Sequence, residues 1–302
     1  MSDILLHAMV NGEAAVYACN VTDMVEEVRK IHDTSPTATI VLGRALAAGC
    51  ILCAGLKNAQ DRMTLMINGG GPAGNIIVVG NAQLQLKAYM EDPGVNPPHG
   101  EKPGFNVAGA VGHDGFLTVI QDLGLKEPYV GKTPLVSGEI GEDLAQYYMQ
   151  SEQQPSIVYV STWLETDMSI VRAGGIVVKP LPSCSEATLS ELEANIPGIQ
   201  NFTAYLMGET AEEALHRIFQ SMSLDVLDKR TPVAVCDCSR DRLEQVLLSM
   251  GEAEIQDMIE KDGQAELTCS FCRRKYTFGE TELRQLLDQA SRPSQHAGQS
   301  EE

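Results

Sequence analysis

The sequence predicts an α+β protein with more than one domain, and three observations lead to this fold class. The 302 residues exceed the roughly 100–200 residues of a typical single domain. Strand-like and helical segments alternate irregularly through the first 180 residues, without the regular repeat of a parallel βαβ fold. A Lys-Pro-Leu-Pro-Ser break at residues 179–183 then separates this part from a helical one. We expect an N-terminal sheet-and-helix domain over residues 1–180, a helical linker over 181–230, a small C-terminal domain over 231–289 and a disordered tail over 290–302.

Period-two apolar patterns predict the strands of the N-terminal domain. The first two flank Asn11-Gly12, a dipeptide typical of hairpin turns. The run Gly69-Gly70-Gly71 to Gly74 lacks the Gly-Lys-Ser/Thr end of a phosphate-binding loop, so it is interpreted as a tight turn between strands. The predicted strands are residues 4–10, 14–19, 64–68, 75–79, 83–89, 117–122, 129–136, 156–163 and 169–178.

Capping residues mark where the helices of this domain begin. Thr22 and Asp23 are expected to cap a helix that runs to about residue 32. Thr34 or Ser35, followed by Pro36, is expected to open a second helix that reaches about residue 57. A third helix is predicted at residues 142–152.

Residues 182–230 show helical patterning and no strand pattern. Helices are predicted at 186–196, 202–207 and 211–219, with Thr210 as the N-cap of the last one. Short amphipathic helices must lay their apolar faces on another surface. We expect eight linker side chains to cover the N-terminal sheet: Leu189, Leu192, Ile196, Phe202, Leu206, Leu215, Ile218 and Phe219.

Charge and hydropathy exclude several functions. The net charge of −19 disfavours nucleic acid and anionic membranes as partners, because both are negatively charged. The N-terminus lacks the basic and apolar regions of a signal peptide, and the most apolar stretch, residues 45–56, is too short to span a bilayer. We therefore expect a cytoplasmic protein, whose eight cysteines lie in a reducing compartment.

Four of the cysteines form two close pairs about thirty residues apart, Cys236-x-Cys238 and Cys269-x-x-Cys272. Thiolates are soft ligands, and four of them suit one tetrahedral Zn²⁺. The basic residues 273–275 are expected to favour the thiolate of Cys272. A domain of this size buries too little surface to be robust alone, so loss of the metal should unfold it. The alternative is a set of buried free thiols.

The two cysteine pairs and several motifs resemble the redox-regulated heat-shock protein 33 chaperones. The resemblance covers essentially the whole chain up to the tail. The further motifs are Thr37-Ala38-Thr39 with Leu42-Gly43-Arg44, Asn68-Gly69-Gly70-Gly71-Pro72-Ala73-Gly74, Val136-Ser137-Gly138-Glu139, and residues 255–266 before Cys269.

The resemblance implies an ATP-independent holdase rather than an enzyme. Its zinc ligands would be Cys236, Cys238, Cys269 and Cys272, and its oxidation would form the disulfides Cys236–Cys238 and Cys269–Cys272. Oxidation would release zinc, unfold the C-terminal domain and destabilise the linker. The exposed apolar surface would then bind unfolding client proteins, and the active form would be a homodimer.

Other interpretations remain open at this point. The zinc site could be purely structural, attached to a cytoplasmic enzyme whose catalytic site lies in residues 1–180. Cys50-x-x-Cys53 repeats the spacing of a redox motif, but its apolar helical surroundings favour core packing. Arg44, within the same apolar stretch, is expected to form a buried or half-buried ion pair.

Overall fold

The computed structural model describes residues 2–100 and 104–290, and the predicted tail lies almost entirely outside them. The chain is α+β, as predicted, and it divides into two compact units, one up to Val235 and one from Cys236.

The N-terminal unit is built on two sheets. In chain order its strands are Ile4–Val10 (β1), Ala14–Asn20 (β2), Arg62–Gly70 (β3), Ile76–Asn81 (β4), Gln85–Met90 (β5), Gly112–Asp122 (β6), Tyr129–Pro134 (β7), Ile157–Leu164 (β8), Ile170–Pro180 (β9), Leu224–Arg230 (β10) and Val233–Ala234 (β11). The first sheet has the order β10-β1-β2-β9-β8, and the second has the order β11-β5-β4-β3-β6-β7. Neighbouring strands are antiparallel, except that β11 runs parallel to β5.

The helices of this unit fall into two groups, before and after β9. They are Thr22–His32 (α1), Pro36–Ala54 (α2), Val107–Val111 (α3), Gly141–Gln150 (α4), Glu186–Ala194 (α5), Ile196–Gln200 (α6), Phe202–Tyr205 (α7) and Ala211–Ile218 (α8). The sequence patterns missed α3 and α6, because each has five residues and is too short for a helical period to be visible.

Helix α2 forms the centre of the main core. Sixteen of its 19 residues are buried, and Ser35 caps it by accepting a hydrogen bond from the Ala38 amide at 3.1 Å. The helix is longer than the apolar stretch noted in the sequence, and it is long and apolar enough to cross a membrane. However, 89% of the relevant window is buried inside the protein, as in the core helix of a globular domain.

The cap of α1 differs from the prediction. Neither Thr22 nor Asp23 caps the helix; instead the buried carboxylate of Asp3 accepts hydrogen bonds from the amides of Asp23 and Met24, at 2.9 and 2.8 Å. A residue distant in sequence can serve as a cap once the sheet places it at the helix N-terminus, and a local pattern does not reveal this.

The turns predicted from glycine are present. Asn11 and Gly12 both have positive φ, at 51° and 64°, and connect β1 to β2. The glycine-rich run joins β3 to β4, and Gly70 and Gly74 have φ of 74° and 66°, a region that favours glycine.

The linker helices pack on one face of the first sheet. Their buried side chains form a cluster with sheet residues such as Val16 and Ile176. Six of the eight predicted residues belong to it, but Leu189 and Ile196 are only half-buried and lie outside it, while Ile199 takes part. The six are Leu192, Phe202, Leu206, Leu215, Ile218 and Phe219.

The prediction that residues 182–230 contain no strand was wrong. Residues 224–230 form β10, which pairs antiparallel with β1 at the edge of the first sheet. The segment Leu-Asp-Val-Leu-Asp-Lys-Arg carries several charged residues and is mostly exposed. Charge is typical of an edge strand, because such a strand has a partner on one side only.

The C-terminal unit is small. It consists of Arg240–Met250 (α9), Glu252–Asp262 (α10), Gln264–Thr268 (β12), Lys275–Gly279 (β13) and Glu280–Ala290 (α11), and β12 and β13 form an antiparallel hairpin. Among the described residues, seven buried side chains form its core: Leu247, Ile255, Ile259, Ala265, Phe278, Leu283 and Leu286.

Candidate metal centre

The four predicted ligands lie together in the C-terminal unit. Cys236 and Cys238 stand in an irregular segment just before α9, and Cys269 and Cys272 stand in the turn between β12 and β13. The four Sγ atoms all lie within 4.8 Å of one another, although the two pairs are about thirty residues apart. The fold of the unit therefore brings both cysteine pairs to one point.

The sulfur geometry fits a tetrahedral metal. Cys236 Sγ lies 3.7 Å from Cys269 Sγ, and Cys238 Sγ lies 3.4 Å from Cys272 Sγ. Four sulfurs at about 2.3 Å from a tetrahedral Zn²⁺ would be separated by about 3.8 Å. Four thiol donors in this arrangement could bind a metal ion, and soft ligands of this kind favour Zn²⁺ over Mg²⁺ or Ca²⁺.

A tight turn positions the second cysteine pair. The Cys269 amide donates to the Arg274 carbonyl, and the Arg273 amide donates to the Cys269 carbonyl, both at 2.9 Å. Arg273 adopts a left-handed backbone conformation with φ of 60°. The turn holds the sulfurs of Cys269 and Cys272 on the same side of the hairpin, within reach of one metal ion.

Two arginines at the start of α9 fix the first cysteine pair. Arg242 Nη1 contacts Asp237 Oδ2 at 2.6 Å, so the residue between the two cysteines is anchored to the helix. Arg240 Nη2 donates to the Thr277 carbonyl at 2.8 Å and to Glu282 at 2.6 Å. Arg240 therefore connects α9 to β13 and α11. Because Cys238 lies just before α9, these contacts also hold the segment that carries it.

Tyr276 is a site residue that the sequence analysis missed. Its hydroxyl lies 3.2 Å from Cys238 Sγ and donates to the Cys238 carbonyl at 3.3 Å. The residue stands on β13, four positions after Cys272, outside the spacing that identifies the ligands. A polar aromatic residue on the hairpin that carries two ligands is the one clue in the sequence.

The thiols have unequal acidities. Burial raises the pKa of Cys236 to about 12. Burial acts in the same direction at Cys238, but hydrogen bonds from Tyr276 and the neighbouring thiols outweigh it and lower the pKa to about 7. Burial raises the pKa of Cys272 and outweighs a hydrogen bond with the Arg274 backbone, which lowers it as expected from residues 273–275. A bound dication would deprotonate all four thiols, because it offsets their mutual repulsion.

The other cysteine pair lies in the core, as the sequence favoured. Cys50 and Cys53 are fully buried in α2. A hydrogen bond with Cys19 and burial raise the pKa of Cys50, and burial raises the pKa of Cys53 to about 12. Buried, protonated thiols are inert toward oxidants. The isolated Cys19 is also buried and donates to the Ala47 carbonyl at 3.7 Å.

Two ion pairs of the N-terminal unit hold a cation in half-buried surroundings. Arg44 forms the predicted half-buried pair, with Nη1 2.5 Å from Glu139 Oε2. Lys179 Nζ lies 3.3 Å from Glu152 Oε2 and 3.8 Å from the centre of the Tyr148 ring, in a polar cavity of about 210 Å³. Burial lowers the pKa of Lys179, and Glu152 opposes this effect. Each cation has a carboxylate partner, which indicates a structural role.

Three comparisons relate the chain to known proteins. The family model described as Hsp33 protein matches residues 3–279. The "33 kDa chaperonin" of Alkaliphilus metalliredigens is 39% identical over 95% of this chain and 99% of its own, and that of Clostridium perfringens strain ATCC 13124 is 40% identical over 96% and 92%.

The solved structures include a similar protein of the same name. The crystal structure of the 33 kDa chaperonin (heat shock protein 33 homolog) from Thermotoga maritima superposes with a TM-score of 0.86 at 32% identity, and it covers 95% of this chain and 98% of its own. The match extends over both units described above. The chain therefore belongs to the Hsp33 family of chaperones.

Proposed function

We propose that this protein is a redox-regulated, ATP-independent chaperone of the holdase type. The reduced form binds one Zn²⁺ through Cys236, Cys238, Cys269 and Cys272 and is inactive. Oxidation releases zinc and exposes apolar surface that binds unfolding proteins and prevents their aggregation. The observation that carries this proposal is the convergence of four thiols from two segments in a unit with a very small core.

Zinc bound at this site would hold the thiolates deprotonated and link the segment before α9 to the β12–β13 hairpin. Structural zinc contributes on the order of 10–16 kcal/mol, which is comparable to the whole stability of a domain. A unit with only seven core side chains among its described residues depends on the link that zinc makes between its two cysteine segments. Release of the ion therefore unfolds the C-terminal unit.

Peroxide is the oxidant class that fits the thiolates. One thiolate attacks H₂O₂, takes one oxygen as a sulfenic acid and releases hydroxide. A second thiolate attacks that sulfur, forms the disulfide and releases a second hydroxide. Two molecules of peroxide thus oxidise four thiolates to two disulfides.

The pairing of the sulfurs decides whether the unit opens. The shortest sulfur contacts join Cys236 to Cys269 and Cys238 to Cys272, and disulfides between these partners would keep the two segments linked. Disulfides Cys236–Cys238 and Cys269–Cys272, which the family resemblance implies, would release the segments from each other. We propose the second pairing, because it alone removes the link when zinc leaves.

Chain connectivity provides a route from the metal centre to the linker. Only Val235 separates β11 from Cys236, and β10 precedes β11 by two residues. Both are edge strands with one neighbour each, and β10 is mostly exposed. Elements of this kind have low local stability, so they detach first when the following unit unfolds. Helix α8 lies just before β10 in the chain, so it is the next element to detach, and its release uncovers the apolar face of the first sheet.

Unfolding client proteins are the proposed partners. The face beneath the linker includes Leu6, Val10, Val16, Ile176 and Val178, and a contiguous apolar surface of this kind binds other proteins once exposed. We propose that the active form is a homodimer. We also propose a cytoplasmic location, where a reducing environment keeps the thiols available for zinc.

Light scattering from a heat-unfolding client tests the proposal. Reduced, zinc-loaded protein is compared with protein treated with peroxide at elevated temperature, and zinc release is followed with a chromophoric chelator. We expect suppression of aggregation by the oxidised form alone. Suppression by both forms would mean a constitutive holdase with structural zinc, and suppression by neither would favour the enzyme alternative. Light scattering at separated chromatographic peaks measures the mass of the active form.

A further inference from the structure

One edge of the β12–β13 hairpin has no strand beside it. In the described part of the chain, β12 pairs only with β13. Cys269, just after β12, donates its amide hydrogen to the opposite chain, and hydrogen-bonded pairs alternate along an antiparallel ladder. The backbone groups of Ala265 and Leu267 therefore face β13, and those of Glu266 and Thr268 point toward the open edge.

The outer edge of β13 differs, because a side chain occupies it. Arg240 Nη2 donates to the Thr277 carbonyl at 2.8 Å, and Thr277 lies opposite Glu266 in the hairpin. Among the described residues, no side chain or loop backbone makes such a hydrogen bond with the outward backbone groups of Glu266 or Thr268. The open edge of β12 therefore presents donors and acceptors to an incoming strand.

A groove of about 440 Å³ runs along this open edge. All five residues of β12 line it, with Leu247 and Met250 of α9 and Met258 and Asp262 of α10. Side chains of a strand alternate between its two faces, so a groove lined by every residue of β12 lies along the edge of the strand. The backbone of β12 forms one wall, and the two helices contribute the other.

The side chains around the groove favour a particular occupant. Met250 is 45% exposed although it is apolar, and Met258 is half-buried. Flexible methionine side chains adapt to apolar groups of different shape. Helix α10 carries five acidic residues and one basic residue, and its exposed Asp262 stands at the groove. An extended segment with apolar and basic side chains matches both properties.

We propose that this groove binds an extended segment of a partner protein in which apolar and basic side chains alternate. The segment adds a strand to the hairpin and bonds to the backbone of Glu266 and Thr268. Its apolar side chains contact Met250 and Met258, and its basic groups approach Asp262. A second copy of β12 is a poor occupant, because its sequence Gln-Ala-Glu-Leu-Thr has an acidic residue and no basic one.

The groove exists only while the C-terminal unit is folded. Under the function proposed above, oxidation would therefore release this partner while the apolar face of the first sheet becomes exposed. The groove would give the reduced protein a ligand of its own, different in chemistry from an unfolding client. Binding itself requires only the folded unit, so it can be measured without zinc release or holdase activity.

Fluorescence anisotropy with a labelled nine-residue peptide of alternating lysine and valine tests the proposal on the full-length, reduced, zinc-loaded chain. A peptide of the same composition, with its lysines and valines in separate blocks, carries the same charge without the alternation. We expect saturable binding of the alternating peptide and at least about tenfold weaker binding of the block peptide, because burial of a single valine is worth about a factor of ten. A peptide of alternating glutamate and valine should not bind.

Two positions on α9 provide matched variants. Met250 and Val246 are both apolar and 45% exposed, but of the two only Met250 lines the groove. Met250→Lys should weaken binding of the lysine–valine peptide about tenfold or more, because it replaces an apolar contact with a like charge. Val246→Lys adds the same charge outside the groove and should bind the peptide almost as the wild-type chain does.

A charge reversal at the groove tests the basic character of the occupant. Asp262→Lys places a cation in the last turn of α10, where the helix dipole favours it, so the fold should tolerate the change. We expect about fivefold weaker binding of the lysine–valine peptide, as for an exposed charge pair, and measurable binding of the glutamate–valine peptide.

Amide exchange followed by NMR shows whether the peptide adds as a strand. The amides of Glu266 and Thr268 should exchange slowly only when the peptide is bound, whereas those of Ala265 and Leu267 should be slow in both states. Unchanged exchange at Glu266 and Thr268 would overturn the proposed strand addition.

The other results also decide the proposal. Equal affinity for the alternating and block peptides, or equal losses in Met250→Lys and Val246→Lys, would reduce the interaction to charge attraction and overturn it. Self-association of the reduced chain that Met250→Lys abolishes would assign the groove to a second copy instead. A chain that binds the peptide but shows no redox-dependent holdase activity would overturn the proposed function alone, and the reverse result would overturn this inference alone.

Discussion

The two compact units differ in how much apolar packing stabilises them. In the N-terminal unit, 43 of the described residues form one continuous buried cluster around α2, and a second cluster of 18 joins the linker helices to the first sheet. The C-terminal unit has a cluster of seven. Apolar burial is the main favourable term in folding, so the first unit is stable by packing and the second requires an additional link.

The cysteines follow the same division. Cys50 and Cys53 lie in the large core, where burial keeps them protonated. Three of the four cysteines in the C-terminal unit are half-buried, and all four sulfurs converge. The same Cys-x-x-Cys spacing therefore occurs in two different environments, and under the proposed function only the pair in the C-terminal unit responds to an oxidant.

Removal of the metal should give the largest effect. A chelator added to reduced protein is expected to unfold the C-terminal unit and leave the core around α2 folded, because about 10 kcal/mol or more of zinc binding energy is lost in one unit only. Hydrogen exchange with mass spectrometry should show loss of protection in α10 and α11 and retained protection in α2. Chelator saturated beforehand with zinc is the control. Retained protection in α10 and α11 would mean that the seven core side chains keep the C-terminal unit folded without the metal.

Disruption of the linker should activate the chaperone without oxidation. Leu215 lies on the face of α8 that packs on the first sheet, and its side chain is fully buried. Leu215→Asn places a polar group in this apolar cluster and should lower the free energy of unfolding by about 3 kcal/mol. We expect the reduced, zinc-loaded variant to suppress client aggregation, and Phe219→Asn should act in the same direction. His216→Asn, at the exposed neighbouring position, should remain inactive when reduced. Inactivity of Leu215→Asn despite a lowered unfolding temperature would exclude the linker as the cover of the binding face.

Much of the fold follows from local patterns. The strand alternation around Asn11-Gly12 and the Ser35-Pro36 helix start were predictable, because these residues determine their own backbone conformation. The charged strand β10 was not, because it is a strand only through its pairing with β1. The cap of α1 was missed for the same reason, since Asp3 reaches the helix across the fold.

The four cysteines of the candidate site could be identified from the sequence, but their surroundings in the structure could not. The spacing of Cys236, Cys238, Cys269 and Cys272 predicts a metal site, because two close pairs of cysteines separated by a longer interval are typical of zinc sites. Their individual acidities depend on burial and on Tyr276, neither of which the spacing contains. The pKa of Cys272 is raised although Arg274 lies beside it, because burial outweighs this neighbour and burial cannot be read from the spacing.

The smallest expected effect is at Cys53, and it tests the comparison of the two cysteine pairs most directly. Cys53 is fully buried, and its sulfur packs so closely on Gly80 that a Cβ added there would lie 2.5 Å from it, so an oxidant cannot reach this thiol from solvent. We expect Cys53→Ala to cost about 1 kcal/mol of stability through the small cavity it creates, and to leave the rate of peroxide-driven zinc release unchanged. Cys272→Ala, which removes a proposed ligand, should abolish zinc retention altogether. A changed release rate in Cys53→Ala would show that the buried pair takes part in redox sensing, and the division between a packed unit and a responsive unit would then be wrong.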